Sequence, residues 1–340
     1  MSSQKKIAEL LHMSQATVSR ALRDDCHLPL ETILKVKKTA QEIGHVSRRY
    51  TQKKQEVPER NIVLRILALV SGGEFLTSRE GTIALEIIQG LIQATRNNNI
   101  DLIVKNVNTL SEAKLIVEKY CNNVAGCIAI LRFDKEVIGY LNANFPCLSV
   151  NHHYDDLSVK VIEADQEKAF CQMFLYLHER GHRRIGFLTV PNSRVFVFRR
   201  YAGYLRASQQ VGIRVNPEWV LNMHIADQYD FNGILERIEQ LYRQDNVRAF
   251  LCSSGSLAKN LIYALAERGI RVPEDISFAG FDEVATPLKT GQLLYGAQAN
   301  YIRMFKTAIK VLQQFSLFKD IGTISCVPDF HYGNTVAEIK

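Results

Sequence analysis

Three side chains near the start of a short helical segment have the chemistry to read DNA bases. Gln15, Ala16 and Arg20 follow Ser14, a residue type favoured at the position just before a helix. Glutamine can bond the edge of an adenine, arginine the edge of a guanine, and alanine can touch a thymine methyl. We therefore predict that these three side chains enter a major groove.

The segment that carries them is predicted to be the second of two short helices joined by a tight turn. The apolar residues that can pack the two helices together are Ile7, Ala8, Leu11, Val18, Ala21 and Leu22. This is the pattern of a helix-turn-helix. Any amphipathic helix pair with a polar turn shows it too, so the pattern alone leaves a purely structural role open.

Charge favours the DNA-binding interpretation. Residues 1–65 contain thirteen Lys or Arg and seven Asp or Glu, an excess of six positive charges in a chain whose formal net charge is +7. The rest of the chain is therefore close to neutral. A basic character confined to one small unit is expected of a unit that contacts phosphates.

Composition divides the chain into three predicted regions. A third helix from about Pro29 to Ile43 completes an all-α headpiece over residues 1–46. Residues 47–61 are charged and poor in apolar side chains, which is typical of a linker. Residues 62–340 alternate short apolar runs with helical stretches, which predicts an α/β core of parallel sheets in two lobes, with a ligand cleft between them.

No segment indicates export, a membrane or a cofactor. No apolar run approaches the roughly 18 residues of a membrane helix, and the N-terminus lacks the pattern of a signal peptide. The seven cysteines form no CxxC pair and mostly lie in apolar runs, so we expect reduced, buried thiols and a cytoplasmic protein.

One string has the spelling of a zinc protease motif, His178-Glu-Arg-Gly-His182. Zinc binding needs both histidines on one helical face, whereas Gly181 is predicted to end the helix before His182. Dinucleotide-binding, Walker and nucleophile-elbow motifs are also missing. We therefore expect no catalytic residues and no metal site.

Several longer motifs resemble the LacI/GalR family of bacterial transcription regulators over nearly the whole chain. They are Ser14–Leu22, Val124–Ile128, Arg180–Leu188, Arg200–Tyr204, Arg268–Ser277 and Gly280–Glu283. The resemblance implies a homodimer on a pseudo-palindromic operator in double-stranded DNA. It also implies a core like periplasmic sugar-binding proteins, with a small-molecule effector, a sugar or sugar derivative, in its cleft. The competing interpretation is a ligand-binding or enzymatic α/β protein with an incidental basic N-terminus.

Matching positions assign candidate roles. Gln15, Ala16 and Arg20 resemble the base-reading residues, and the residues that resemble phosphate contacts are Ser3, Ser14, Thr17, Ser19 and His27. In the core, Arg200 and Asp282 match residues expected to face each other across the cleft and hold effector hydroxyl groups. The alternative is that they bond only to each other or to the backbone.

The chain also departs from the family pattern. Ser254-Gly255 stands where an Asn-Asp pair is usual, so Ser254 could help to hold a phosphate and the effector is expected to be a sugar or a sugar phosphate. Lys54 replaces the leucine wedge of the family linker, which argues against minor-groove insertion, and His12 replaces a glycine in the turn. No heptad extension follows the core, so a dimer is expected rather than a coiled-coil tetramer.

Overall fold

The computed structural model describes residues 3–22, 28, 30–42, 64–71, 81–96, 99–189, 195–222 and 229–339. The chain divides into two compact units, residues 1–61 and 62–340. The predicted linker, residues 47–61, lies outside the described residues. No helix in the described part combines the length and apolar character that a bilayer crossing requires.

The first unit contains three helices, α1 (Ser3–Leu10), α2 (Gln15–Ala21) and α3 (Leu30–Glu42). They pack through a small apolar core made of Ile7, Ala8, Val18, Ala21, Ile33, Val36 and Ala40. The first two helices are joined by a turn in which His12 has a left-handed φ of 51°. Glycine adopts that conformation without strain, which is the physical reason a glycine suits this position.

The second unit alternates strands and helices. Its strands are β1 (Leu64–Val70), β2 (Ile100–Asn106), β3 (Gly126–Ile130), β4 (Cys147–Val150), β5 (Lys160–Ala164), β6 (Ile185–Leu188), β7 (Val220–Leu221), β8 (Ala249–Cys252), β9 (Ser277–Phe281), β10 (Tyr295–Gln298), β11 (Thr323–Cys326) and β12 (Asp329–His331). Its helices are α4 (Gly81–Thr95), α5 (Leu110–Tyr120), α6 (Lys135–Asn144), α7 (Gln166–Glu179), α8 (Val195–Gln210), α9 (Phe231–Asp245), α10 (Gly255–Glu267) and α11 (Tyr301–Gln313).

These strands form two six-stranded sheets, one in each lobe. The first lobe has the order β11-β5-β4-β3-β1-β2, and the second has β12-β10-β9-β8-β6-β7. Neighbouring strands are parallel except for β10 and β12. The chain passes between the sheets after β5, after β10 and after β11. The predicted combination of an α-helical unit and a two-lobed core with parallel sheets is confirmed.

Helices α7 and α8 pack closely beside the second sheet. A Cβ on Gly203 of α8 would lie 2.1 Å from the carbonyl oxygen of Glu167 on α7, so the two helix backbones nearly touch. Tyr204 is buried below them and donates a hydrogen bond to the carbonyl of Ile185 at 2.7 Å. This packing fixes the first half of α8, which carries Arg199 and Arg200.

Candidate functional site

Helix α2 presents the predicted base-reading side chains to solvent. Gln15, Ala16 and Arg20 are exposed, whereas Val18 and Ala21 are buried against the neighbouring helices. Ala16 and Arg20 are four residues apart and therefore lie on one helical face. The structure thus places the three candidates on the outer side of α2.

The predicted phosphate contacts lie at the helix ends. The Ser14 Oγ caps α2 by accepting a hydrogen bond from the Thr17 backbone N–H at 3.0 Å, and the two hydroxyl oxygens lie 2.8 Å apart. Ser3 begins α1 and Ser19 is half-buried on α2. His27 lies in a part of the chain that the structure does not describe.

A second group of candidates meets at the carboxyl edge of the second sheet. β8 and β9 are neighbouring parallel strands in which Cys252 lies opposite Gly280. Ser254 and Asp282 each follow two residues later, so strand register brings them to the same edge. Arg200 reaches this edge from α8 and donates a hydrogen bond to the carbonyl of Ser253.

Arg200 is only 6% exposed, and several neighbouring groups hold its side chain in place. Its Nε donates to the Gln166 Oε1 at 2.5 Å, and its guanidinium carbon lies 4.4 Å from the centroid of the Phe281 ring. Burial lowers the pKa of Arg200 to about 10, while the charge of Asp282 opposes that shift. The guanidinium therefore stays charged at neutral pH and is fixed in orientation.

Asp282 is equally buried, and its Oδ1 accepts a hydrogen bond from the Ala299 N–H at 2.9 Å. Burial raises the pKa of this carboxyl, whereas Arg200 and the Ala299 N–H lower it. Arg200 and Asp282 lie close enough for their charges to interact, and the expectation that they hold effector hydroxyl groups stays a prediction. Both belong to the second lobe. Strand β6 precedes α8, strand β9 precedes Asp282, and these two strands end at the same edge of the second sheet.

The Ser254 hydroxyl caps the N-terminus of α10. Its Oγ accepts from the Leu257 N–H at 3.2 Å and lies 3.4 Å from the Ser256 Oγ. A Cβ on Gly255 would come within 2.0 Å of the Asp282 carbonyl oxygen. The two strand ends therefore approach so closely that only glycine fits at position 255 without a backbone shift.

A carboxylate group from the first lobe lies near this edge. Burial, followed by the charges of Asp282 and Glu283, raises the pKa of Glu86 on α4 to about 7. Gln298 bonds the Glu86 carboxyl and Lys259 contributes a positive charge, and both effects lower its pKa. The Glu86 Oε2 is buried without a hydrogen-bond partner among the described residues. Glu86 is therefore close to half-protonated at neutral pH.

Sequence reasoning missed a buried polar network that joins the lobes. Glu163 on β5 accepts hydrogen bonds from the Ser325 Oγ at 3.2 Å and from Arg199 on α8, and its Oε2 lies 2.8 Å from the His153 Nε2. Its side chain is only 3% exposed. The sequence signal that could have indicated this network is Glu163 itself, an acidic residue near the end of a buried strand.

The two histidines of the protease-like string do not form a metal site. His178 lies in the last turn of α7, which ends at Glu179, and Gly181 turns the chain with a φ of 92°. The His182 ring Nε2 instead lies 3.2 Å from the Ala337 carbonyl, and burial lowers its pKa to about 4. Throughout the described ranges, no three His, Cys, Asp or Glu side chains are grouped to hold a metal.

Comparisons with known proteins extend over both units. A family model described as a periplasmic binding protein-like domain matches residues 174–292. The HTH-type transcriptional repressor CytR of Escherichia coli strain K12 is 24% identical over 286 residues, covering 82% of this chain and 80% of the relative. The ribose operon repressor of Haemophilus influenzae is 23% identical over 292 residues, covering 84% and 82%.

A solved structure has the same fold. The lac repressor dimer bound to operator and the anti-inducer ONPF matches with a TM-score of 0.60 at 20% identity, covering 97% of this chain and 98% of that chain. The chain thus resembles the LacI/GalR family of bacterial transcription regulators in sequence and in fold. The family resemblance predicted from the sequence motifs is thereby confirmed.

The second-lobe edge departs in one place from the residue pattern that the LacI/GalR resemblance implies. Where the family usually has an Asn-Asp pair, this chain has a capping serine and a glycine that lies against the Asp282 carbonyl. Arg200 and Asp282 retain the family residue types, and both are buried in defined orientations. The edge therefore combines a family-like arginine and aspartate with a close backbone contact at Gly255.

Proposed function

We propose that this LacI/GalR-family protein is a sequence-specific DNA-binding transcription regulator that represses carbohydrate-utilisation genes and responds to a small-molecule effector. The observation that carries the proposal is α2, which is capped by Ser14 and exposes Gln15, Ala16 and Arg20 within a basic N-terminal segment. The names of its relatives, a transcriptional repressor and a ribose operon repressor, support it.

In this proposal each region has a separate role. Residues 1–46 form the DNA-binding headpiece, residues 47–61 the linker, and residues 62–340 the effector-binding and dimerisation core. The division of contacts after Asn61 supports this organisation. Two copies bind the half-sites of a pseudo-palindromic operator in the cytoplasm, and the protein catalyses no reaction.

The base readers are Gln15, Ala16 and Arg20, and Ser3, Ser14, Thr17, Ser19 and His27 contact phosphates. Phosphate contacts set the register of the helix on the duplex without reading its sequence. The linker adds phosphate contacts through its basic residues and does not insert a wedge, because Lys54 replaces the apolar side chain. Affinity for the operator should therefore fall steeply with salt.

We assign the effector site to the second-lobe edge that carries Arg200, Ser254 and Asp282. A guanidinium, a hydroxyl and a carboxylate provide the donors and acceptors that a sugar or sugar phosphate requires. A ligand held there that prefers one arrangement of the lobes changes operator affinity through linkage. Asp282 also lies near Glu86 of the first lobe, which supports an effect on both lobes.

Selection of bound duplexes from a random library, at two salt concentrations, tests DNA recognition. We expect a two-fold symmetric site. Arg20→Ala should then cost about 1–3 kcal/mol and relax specificity at one base pair of each half-site. Lys38→Ala, which removes an exposed charge from α3, should weaken all sequences equally or change nothing. Equal binding of all duplexes by the native protein would contradict the proposal.

Ligand screening by thermal shift tests the effector site, because a ligand that binds the folded protein raises its melting temperature. Sugars and their phosphates form the screen. For any ligand found, Arg200→Lys should abolish the shift, since lysine lacks the planar fork of arginine. Arg206→Lys, on the exposed side of α8, serves as the control and should retain it. A shift unchanged in Arg200→Lys would exclude this edge as the site.

A further inference from the structure

A separate groove lies between α4 and α11 in the first lobe. Its volume is about 720 Å³, which is within the range of small-molecule sites. Gly90 lies against Tyr301, where a Cβ would come within 2.6 Å of the tyrosine Cβ, so the two helices are in close contact there. The groove opens toward the C-terminal halves of both helices.

Three exposed cations line this groove, Arg96, Lys306 and Lys310. Within the described part of the chain none of the three forms an ion pair, whereas Arg303 on the same helix pairs with Asp329 at 3.0 Å. Helix α11 contains no acidic residue. Lys306 and Lys310 are one turn apart, a spacing at which like charges repel, so an anion would relieve an existing repulsion.

The charges of the helix ends do not cancel this excess. Each helix C-terminus carries about half a negative elementary charge, so α4 and α11 together contribute about one. The three side chains contribute three full positive charges. The groove therefore keeps a positive potential even with both helix ends included.

The remaining surface of the groove suits a polar molecule with a carbon skeleton. Gln93 and Gln313 provide amide donors and acceptors beside the cations. Ala94 and Ile309 are buried beneath them, and Ile100 is half-buried, so they form an apolar floor. Cations, amides and an apolar floor together match a phosphorylated organic molecule better than a bare inorganic anion.

We propose that the α4–α11 groove is a second ligand site, which binds a small phosphomonoester. The phosphate carries nearly two negative charges at pH 7. Lys306 and Lys310 act as point charges toward it, and Arg96 donates paired hydrogen bonds. This site is distinct from the second-lobe edge and does not depend on whether an effector binds there.

Calorimetric titration of the full chain with ribose 5-phosphate, and with ribose as the neutral match, tests the proposal. We expect the K306Q/K310Q double variant to weaken ribose 5-phosphate binding at least tenfold. K114Q/K119Q removes the same charge from the exposed surface of α5 and should bind like the native protein. Hydrogen exchange should slow in residues 90–105 and 301–315 when ribose 5-phosphate is added.

Several outcomes would overturn the site. They are undetectable binding at millimolar ribose 5-phosphate, equal binding by K306Q/K310Q and the native protein, and protection confined to the headpiece or the second lobe. A loss of dimer in K306Q/K310Q would identify the groove as an interface between copies instead. If circular dichroism shows that this double variant is poorly folded, the single variant R96Q is used instead. We then expect weaker ribose 5-phosphate binding, by a smaller factor.

Discussion

The network around Glu163 predicts a specific loss of stability when its charge is removed. In Glu163→Gln, an amide of nearly the same shape replaces a carboxylate that contacts His153, Arg199 and Ser325. The amide offers one oxygen in place of two, and its NH₂ group cannot accept a hydrogen bond. With its oxygen at the Oε1 position the amide keeps Arg199 and Ser325 but turns an NH₂ group toward the His153 Nε2, so His153 must change tautomer to keep its contact and Arg199 loses a charged partner.

Burial sets the size of the effect. Removing one partner of a fully buried ion pair costs about 3–5 kcal/mol. Here the Glu163 side chain is 3% exposed but that of Arg199 is 39% exposed, so water can hydrate the released guanidinium. We therefore expect a loss of about 1–3 kcal/mol, which for a core of this size corresponds to roughly 3–8 °C in melting temperature.

Fluorescence of the single tryptophan, Trp219, follows unfolding of the second lobe during heating and in guanidinium chloride. Glu167→Gln is the matched control, because Glu167 on α7 pairs with Arg206 on α8, the helix that also carries Arg199, and both side chains of this pair are exposed. Exposed pairs contribute about 0–1 kcal/mol. The control should thus melt within about 2 °C of the native protein.

Equal melting temperatures for Glu163→Gln and Glu167→Gln would refute this reasoning, since it would show that burial adds nothing to the Glu163 contacts. A second readout tests the bridge between lobes. Arg199→Lys keeps the charge and should recover most of the stability that Arg199→Ala loses. If both arginine variants lose the same amount, the contact stabilises the core by packing rather than by charge.

Three further predictions concern other positions. Glu86 has a folded pKa of about 7, above its ordinary value of 4.5, so the native core loses stability as the pH rises from about 4.5 to 7. By melting temperature, Glu86→Gln should be more stable than the native protein by about 1–2 kcal/mol at pH 8.5, a figure discounted for partial exposure, and nearly equal to it at about pH 4. Gly255→Ala forces a Cβ against the Asp282 carbonyl and should cost about 1–3 kcal/mol in guanidinium unfolding, whereas Gly269→Ala, whose site is open but has a left-handed φ, should cost less. His12→Gly should stabilise the headpiece by up to about 1 kcal/mol, because the strain energy of histidine at a φ of 51° exceeds the entropic cost of ordering a glycine on folding. An unchanged melting temperature of the helical circular dichroism signal would contradict this prediction.

The sequence pattern predicted the elements that are determined by residues close together in the chain. The helix pair of the headpiece follows from apolar spacing and the Ser14 cap, and the alternation of apolar runs with helical stretches predicted the parallel sheets of the core. Ser254 and Asp282 were expected in the same site, and strand register explains why they meet, since Cys252 and Gly280 are opposite one another. Residues that directly follow parallel strands are therefore favourable positions for prediction.

Elements defined by distant partners were missed. β11 pairs with β5 across more than a hundred residues of chain, and its partly exposed sequence Thr323–Cys326 has no strong apolar run. Helix α6 gives only a weak sequence signal although Val137, Ile138 and Leu141 are buried, because the helix is short and contains Gly139. The α4–α11 groove joins residues from opposite ends of the core, so no sequence spacing could indicate it.

The replacement of the usual Asn-Asp pair by Ser254-Gly255 is best understood together with the turn after β9. Asp282 and Glu283 both have left-handed φ values, 63° and 54°, and this turn directs the Asp282 carbonyl into the space of a Gly255 Cβ. A carboxylate side chain at position 255 and the present turn exclude each other. The glycine at position 255 and the close backbone approach therefore depend on each other, and an effector in the proposed site would meet backbone and a serine hydroxyl where the LacI/GalR pattern has an amide and a carboxylate.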